Sequence, residues 1–276
     1  MGEMTNRTVF MSGGSRGIGL AIALRLASEG ANVAFMAKTD QPHPKLPGTI
    51  HTAAAEIEEA GGSALPILGD VRDEDQVARA VAQAVEHFGG IDICVNNASA
   101  INLAPMADLP PKRYDLMLDI NTRGTFVLTQ ACLPHLRESD HAHVLTLGPP
   151  LSLNERWLKG HSAYTVSKFG MSMITLGVAA DEPSIAANCL WPRTLIATAA
   201  VQNLLGGDAA MAASRTPEIV ADAAYEILRR EPSSASGQTF IDDEVLSAAG
   251  ITDLDRYAAS PGGDLGLDLF VEDWPA

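Results

Sequence analysis

Residues 12–19, SGGSRGIG, decide how the rest of the chain is interpreted. The stretch joins a short apolar run to a helical pattern, and its glycines have the spacing GxxxGxG. Gly13 permits a sharp turn, Gly17 lets the backbone approach a phosphate, and Gly19 lets helix and strand pack closely. An ordinary glycine-rich turn is the alternative, but between a strand and a helix the spacing predicts a loop that binds a dinucleotide pyrophosphate at the helix N-terminus. The residues expected to contact the phosphates are Gly13, Ser15, Arg16, Gly17, Ile18 and Gly19.

Apolar β-rich runs alternate with helical patterns along the chain. Such strand–helix–strand units need parallel pairing with helices on both faces. The order predicts an α/β fold, a doubly wound Rossmann-type three-layer sandwich with a mostly parallel seven-stranded sheet. We expect one domain over residues 1–276, with 243–276 as an acidic C-terminal tail, and a long helix over Lys112–Arg137. The predicted strands are Thr8–Met11, Asn32–Ala37, Ala64–Leu68, Ile91–Asn96, His143–Leu147, Ala186–Leu190 and Gln238–Ile241.

Composition narrows the function classes. A net charge of −15 opposes binding to nucleic acid. No apolar run approaches the ~20 residues of a membrane span, and the N-terminus lacks a signal-peptide pattern, so we expect a cytoplasmic protein. Three separated cysteines without a CxxC pair predict buried, reduced thiols. His141 and His143 have a spacing open to a metal but no third ligand nearby, and we expect no metal site.

The ends of the second, third and fourth strands carry the residues that would choose and hold the nucleotide. An acid after strand two would favour NAD, whereas this chain has Lys38, which with Arg16 would flank a 2′-phosphate. The pattern favours NADP(H), and Asp40 keeps NAD(H) as the alternative. Each of these residues also has a simpler interpretation as a solvated charge or a turn residue. The further residues expected at the nucleotide are Asp70, Val71, Asn97 and Ala98.

Five stretches, taken in order, resemble the short-chain dehydrogenase/reductase family over nearly the whole chain. They are SGGSRGIG (12–19), GDV (69–71), NNAS (96–99), NTRG (121–124) and YTVSK (164–168). Four others are similar to its hydroxysteroid dehydrogenase-like branch: AKTDQPHPKLPGTIHTAA (37–54), GPPLSLN (148–154), LWPRT (190–194) and ADAAYEIL (221–228). Members of that branch often carry a sterol-carrier domain, and we do not expect lipid carriage from these 276 residues.

Tyr164 and Lys168 are four residues apart on a predicted helix and therefore share a face. A nearby ammonium favours phenolate, so we expect a lowered pKa for Tyr164 and a role as general acid and base. An exposed helix face with unrelated Tyr and Lys is the alternative interpretation of the pair. The resemblance implies that Lys168 also holds the nicotinamide ribose and that Asn121 holds a water that relays protons to Lys168.

The family's catalytic serine is missing from its usual place. The resemblance puts it at the end of strand five, where this chain has Gly148 and Pro149, neither with a hydroxyl. Ser152 is the candidate replacement, and an ordinary loop serine is the alternative. After strand six, Pro192 and Thr194 are expected at the cofactor, and Arg193 either pairs with an acidic group there or is solvated.

The main hypothesis is an oxidoreductase that transfers a hydride between NADP(H) and a small carbonyl/alcohol substrate, apolar or lipid-like in character. The alternatives are a nucleotide-binding protein of the same fold with impaired catalysis, acting as a sensor or partner-binding protein, and a purely structural protein that binds no nucleotide. The resemblance also implies a homodimer or homotetramer built on the two long helices.

Overall fold

Seven parallel strands form the middle layer of the fold. The computed structural model describes residues 2–43 and 46–272. The strands are β1 (Thr8–Ser12), β2 (Asn32–Ala37), β3 (Ser63–Leu68), β4 (Ile93–Asn96), β5 (His143–Thr146), β6 (Ala186–Trp191) and β7 (Thr239–Ile241). Their order in the sheet is β3-β2-β1-β4-β5-β6-β7, and every neighbouring pair is parallel. The strand order reverses between β1 and β4, which opens a crevice at the carboxyl ends of these strands. The predicted doubly wound sandwich is confirmed.

Helices cover both faces of the sheet. They are α1 (Gly17–Ala27), α2 (Ile50–Glu59), α3 (Glu74–Phe88), α4 (Pro111–Met117), α5 (Gly124–Leu136), α6 (Ser162–Asp181), α7 (Gly207–Ala212), α8 (Glu218–Leu228) and α9 (Asp242–Ala248). Local signals set their ends: the Asp73 side chain accepts the N–H of Gln76 at the start of α3, and Gly89 ends this helix with φ +89°. In the described part of the chain, no helix combines the length and hydropathy needed to cross a bilayer.

The predicted long helix Lys112–Arg137 is interrupted. A π-helical turn over Leu118–Arg123 separates α4 from α5. Such a wide turn inserts an extra residue into a helix and often marks a functional site. Asn121 lies in this turn and is fully buried.

Two apolar layers hold the helices against the sheet. On one face, α1 and α8 pack through residues such as Ile22, Leu26 and Ile219. On the other, α3 and α5 pack through Val77 and Leu128. The three cysteines are buried and unbonded to one another, as expected. The layers leave the carboxyl edge of the sheet to the loops that build the site.

The segment expected to be an acidic C-terminal tail is part of the fold up to residue 272. Its first residue, Asp243, lies inside α9 and is buried. Further on, Phe270 is only 2% exposed and joins an apolar cluster with Tyr164 and Trp191. The chain from Gly266 to Glu272, here called the C-terminal strap, therefore packs against the carboxyl edge of the sheet. Residues 273–276, the end of the predicted tail, lie outside the described residues.

Candidate active site

Asn97 fixes the loop between β1 and α1. Its side-chain amide donates to the carbonyl oxygens of Gly13 at 2.9 Å and Ser12 at 3.3 Å. The backbone N–H groups of Asn97 and Ala98 both donate to Ser12 Oγ at 3.2 Å. Gly13 has φ +76°, and a β-carbon on Gly19 would lie 2.3 Å from the Gly13 carbonyl oxygen. Glycine is required at both positions, one for the turn and one for close packing.

The rest of the loop between β1 and α1, here called the phosphate loop (residues 12–19), faces the loop that follows β6. Gly17 has φ +55°, and a β-carbon there would lie 3.4 Å from Thr198 Cγ2. Ser15 is buried, and Ile18 packs against the apolar layer of α1. The crevice is therefore walled by the start of α1 on one side and by Thr198 on the other.

Lys38 and Asp70 form an ion pair across the ends of β2 and β3, with Nζ 3.0 Å from Oδ2. Arg72 also donates to Asp70 at 2.6 Å. Hydrogen bonds from Arg72, assisted by Lys38, hold the pKa of Asp70 well below its usual range. The sequence does not reveal this pairing, which places the cation expected at a phosphate and the carboxylate expected at adenine side by side. Lys38 remains 57% exposed along its side chain, at the edge of the crevice.

The side chains of three other residues considered for the nucleotide site contact different parts of the chain. Arg16 donates to the carbonyl oxygen of Gly48 at 3.2 Å, in the loop before α2. Val71 is buried against α5, where a β-carbon on Gly124 would meet its Cγ2 at 3.0 Å. Asp40 contacts His51 at 2.7 Å and lies on the exposed side of the same loop.

Tyr164 and Lys168 lie one turn apart on α6, and both are buried. The Lys168 ammonium donates to the Leu147 carbonyl oxygen at 2.6 Å and lies 4.9 Å from the centre of a Trp191 ring. Burial lowers the pKa of Lys168 to about 7. Burial, assisted by the Asp268 carboxyl, raises the pKa of Tyr164 above its usual value. The expected lowering of the phenol pKa is wrong for this arrangement, because burial disfavours the charged phenolate and the Asp268 carboxyl acts in the same direction.

Asn121 joins three parts of the site. Its side chain accepts the N–H of Ala100 at 2.7 Å and donates to the Ala100 carbonyl oxygen at 2.9 Å. It also donates to Ser167 Oγ at 2.9 Å, and that hydroxyl donates to the Tyr164 carbonyl oxygen at 2.8 Å. The loop after β4, the π-helical turn and α6 are thus connected by one buried hydrogen-bond chain that ends at the Tyr164 backbone.

A side chain of α6, that of Ser172, lies where a side chain at position 148 would be. A β-carbon on Gly148 would lie 2.7 Å from Ser172 Oγ, and that hydroxyl donates to the Pro149 carbonyl oxygen at 2.7 Å. Ser152 instead lies at the edge of the site, where its Oγ accepts the Asn154 N–H at 3.2 Å and lies 3.4 Å from Glu272 Oε1. No contact among the described residues connects Ser152 with the Tyr164–Lys168 pair.

The residues after β6 are buried and largely engaged. Arg193 forms an ion pair with Asp243 at 2.6 Å and another with Glu244, while its backbone N–H donates to Asp242 at 2.9 Å. It is therefore neither solvated nor free to pair with a substrate, because α9 supplies its partners. Pro192 is buried beside it, and Thr194 is fully buried.

The C-terminal strap covers Tyr164. The Trp191 indole N–H donates to the Leu269 carbonyl oxygen at 2.7 Å, and the Asp268 N–H donates to the Arg193 carbonyl oxygen at 2.9 Å. Burial raises the pKa of Asp268 to about 7. Phe270 stacks on Tyr164 with ring centres 6.1 Å apart and 29° between the planes.

A cavity of about 320 Å³ lies next to the strap, but it does not reach the Tyr164–Lys168 pair. Its walls include Trp157 and Leu195 together with Leu267, Leu269 and Val271 of the strap, with Arg156 among its polar residues. Tyr164, Lys168 and Asn121 are not among its lining residues. The strap therefore separates the largely apolar cavity from the phenol.

Two buried polar atoms without hydrogen-bond partners within the described chain support the fit of the crevice to a dinucleotide. Among the described residues, Arg16 Nε and Thr194 Oγ1 are buried without a hydrogen-bond partner. Buried polar groups normally have partners, so each position favours a bound polar group. One lies at the phosphate loop and the other follows β6. By contrast, residues 2–43 and 46–272 contain no group of three or more His, Cys, Asp or Glu residues that would hold a metal ion.

Sequence reasoning missed three contributors. Ser167 lies inside the YTVSK motif, so its position between Tyr164 and Lys168 was a usable signal. Trp191 ends β6, next to the residues expected at the cofactor. Phe270 belongs to the apolar triplet Leu-Phe-Val in an acidic, glycine-rich stretch, and that contrast was the only signal for it.

The fold and the site define a nucleotide-binding α/β protein of the Rossmann type with a Tyr–Lys pair at the carboxyl edge of its sheet. Residues 7–207 match the family described as short chain dehydrogenase, and the chain belongs to this oxidoreductase family. It is 55% identical over 275 residues to hydroxysteroid dehydrogenase-like protein 2 of Danio rerio and 52% identical to that of Homo sapiens, covering 99% of this chain in both cases. The chain spans 66% and 65% of the length of these two relatives.

A solved structure supports the same assignment. The crystal structure of a short chain dehydrogenase from Mycobacterium thermoresistibile is 57% identical, with a TM-score of 0.92 over 98% of this chain and 96% of that one. The resemblance to the hydroxysteroid dehydrogenase-like branch is confirmed by the identities of 55% and 52% to the two named relatives.

Proposed function

We propose that the chain transfers a hydride between NADP(H) and an apolar carbonyl/alcohol substrate. The observation that carries the proposal is the placement of Tyr164 and Lys168 on one face of α6, connected through Ser167 to Asn121 beside the nucleotide crevice.

The residues have separate tasks in the proposed reduction. Tyr164 gives its proton to the substrate oxygen while the carbonyl carbon gains a hydride, and in oxidation it takes the proton back. The bound nicotinamide supplies the hydride and is left oxidised. Lys168 holds the nicotinamide ribose, and Asn121 holds the water that returns protons towards Lys168. Gly13, Ser15, Gly17 and Gly19 bind the pyrophosphate.

The preference for NADP(H) is supported by charge. In this proposal Lys38, which follows β2, and Arg16, which precedes α1, flank the adenosine ribose; the Arg16 Nε lacks a partner among the described residues. A 2′-phosphate would bring three strong acceptor oxygens to these donors. NAD(H) is the alternative, in which Asp70 or Asp40 would serve the ribose and adenine.

Turnover of NADPH with a panel of aldehydes and ketones tests the proposal, together with fluorescence titration of NADPH. Tyr164→Phe is expected to lose roughly 10²–10⁴-fold in kcat with little change in NADPH affinity, since only the proton donor is removed. Tyr114→Phe, on exposed α4, is the matched control and should match the wild type. Full activity in Tyr164→Phe would refute the mechanism.

Ser152→Ala tests the predicted replacement for the absent hydroxyl. A loss near the roughly 100-fold seen when an oxyanion donor is removed would support Ser152. Unchanged kcat would assign Ser152 to the loop contacts with Asn154 and Glu272.

A same-fold nucleotide sensor is the second candidate, favoured by the missing serine at Gly148 and by the strap over Tyr164. It predicts NADPH binding without turnover across the panel. A structural protein predicts no NADPH binding at all.

Self-association through α5 and α6 is part of the proposal. Phe126, Val166 and Met173 are 49%, 51% and 63% exposed on these helices, an unusual cost for large apolar side chains. Light scattering is expected to give a dimer or tetramer that dissociates in Phe126→Lys/Met173→Lys. Leu68→Lys, at an exposed apolar residue on β3, should leave the assembly intact.

A further inference from the structure

Phe270 lies inside an aromatic box. Its ring centre is 5.2 Å from that of Phe169, 5.8 Å from a Trp191 ring and 5.7 Å from a Trp157 ring. Tyr164 lies nearly parallel to it at 6.1 Å, and His161 lies at 6.3 Å. Centre separations in this range are those of interacting aromatic pairs. One phenyl ring thus fills a site whose remaining walls are five other rings.

The proton-donating ring of the proposed reaction is one of those walls. Tyr164 must meet the oxygen of a substrate, yet it is only 6% exposed and Phe270 covers its face. Phe270 fills the space against the face of the Tyr164 ring. A substrate whose oxygen meets the Tyr164 hydroxyl would need room beside this ring for the part of the molecule next to its reacting carbon.

The backbone of the strap is strained at the residue that carries this ring. Four residues of the strap line the cavity, namely Leu267, Asp268, Leu269 and Val271, whereas Phe270 is not among the lining residues and packs into the box. Trp157 contacts both the cavity and Phe270. Phe270 has φ +70°, in the left-handed region that a bulky residue disfavours. The strap is thus held in a strained backbone conformation at the residue whose ring covers Tyr164. Its departure would join the box to the cavity.

We propose that the aromatic box is the substrate subsite, that Phe270 is its internal occupant, and that the substrates are carbonyl compounds with a flat apolar ring next to the reacting carbon. The inference rests on the proposed function for the reaction, but ring binding itself does not depend on turnover. Arg156, among the cavity's lining residues, and the apolar cavity walls would receive the remainder of such a molecule.

Ring binding is measured first, without cofactor. The probes are anisole, which is flat and unreactive, and methoxycyclohexane, its puckered counterpart. Trp157 and Trp191 face the box, so their fluorescence reports its occupancy. Phe270→Ala is expected to bind anisole at least tenfold more tightly than the wild type and at least fivefold more tightly than it binds methoxycyclohexane. Phe270→Leu keeps apolar volume without a ring, and its affinity for anisole is expected to lie between those of the wild type and Phe270→Ala.

The matched control is Phe88→Ala, which removes a phenylalanine at the end of α3, outside the box. It should behave as the wild type with both probes. Equal affinity of Phe270→Ala for the flat and puckered probes, or no gain over the wild type, would overturn the inference. So would the same gain in Phe88→Ala, because it would reflect a general loosening of the fold.

Turnover is measured second, with acetophenone and cyclohexyl methyl ketone. Phe270→Ala is expected to lower KM for acetophenone at least fivefold more than for the cyclohexyl ketone. Anisole binding without NADPH turnover in any variant would contradict the proposed function but would still support the ring-binding site. Turnover with no preference for the flat ring would contradict the proposed ring-binding subsite but would still support the proposed function.

Discussion

The side-chain amide of Asn121 forms two hydrogen bonds with the backbone of Ala100, one in each direction, from inside a π-helical turn. It thereby satisfies both backbone groups of a residue in the loop after β4. The same amide donates to Ser167 at the catalytic helix. The residue that the family resemblance assigns to proton relay is therefore also a structural link between two loops and a helix.

Asn121→Leu is expected to lower the free energy of unfolding by about 1–3 kcal/mol, because the part-buried N–H and carbonyl of Ala100 and the buried Ser167 hydroxyl all lose this partner. Urea unfolding measures the loss. Asn32→Leu is the control, since Asn32 donates a single 3.4 Å hydrogen bond to Thr8 and should cost less than about 1 kcal/mol. Equal losses in the two variants would contradict the assigned role of Asn121.

Gly148→Ser would restore the family's usual residue but is expected to cost about 1–2 kcal/mol of stability. Its β-carbon would lie 2.7 Å from Ser172 Oγ, which must then turn away and lose its hydrogen bond to Pro149. In a Ser172→Ala background that bond is already absent, so the added cost of Gly148→Ser should be close to zero. A double-mutant cycle by thermal and urea unfolding measures this coupling, and strictly additive effects would argue against it.

Lys38→Ala is expected to weaken NADPH binding about tenfold and NADH binding less than twofold, since one charge-assisted hydrogen bond to a phosphate is lost only with NADPH. Fluorescence titration of each nucleotide gives the two ratios. Lys112→Ala, on exposed α4, controls for the general loss of a positive charge. Equal weakening for both nucleotides would contradict the preference for NADP(H) and favour a role for Lys38 in orienting Asp70.

Asp242→Asn is expected to change how stability depends on pH. Asp242 is fully buried with an orphaned Oδ2 within the described residues, and burial raises its pKa from 3.8 to about 7. The folded state binds this proton more tightly than the unfolded state. The contribution of the protonated Asp242 carboxyl to stability is therefore complete below about pH 4 and is lost as the pH rises through 7.

Asparagine at position 242 cannot ionise, so the variant does not lose stability in this way. The difference in the free energy of unfolding between Asp242→Asn and the wild type should therefore rise by about 2–4 kcal/mol from pH 4 to pH 8. Urea unfolding at several pH values measures the difference. Asp140→Asn, whose side chain is 84% exposed, should show little change. A difference for Asp242→Asn that stays flat across this range would show that its carboxyl is ionised throughout.

The parts of the site that could be predicted are those encoded locally. The glycines at 13, 17 and 19 and the Tyr164–Lys168 spacing each describe one turn or one helix face, and the structure places them at a common edge of the sheet. The doubly wound topology followed from the alternation of strands and helices. These inferences needed no knowledge of which distant residues meet.

The missed features depend on distant contacts. The Lys38–Asp70 pair forms only because β2 and β3 end side by side, and two separate motifs gave no sign of it. Arg193 looked available for a substrate because its partners arrive with α9. The raised pKa of Tyr164 comes from burial that no local pattern expresses.

The π-helical turn Leu118–Arg123 also governs which changes in chain length the protein can accept. One extra residue in a helix rotates everything before it by about 100° relative to everything after it. Deleting a single residue here would let α4 and α5 merge into one regular helix with its backbone hydrogen bonds complete, yet Asn121 would swing out of reach of Ala100. Good local geometry and a working site therefore demand different lengths at this turn, and the chain has the length that suits the site.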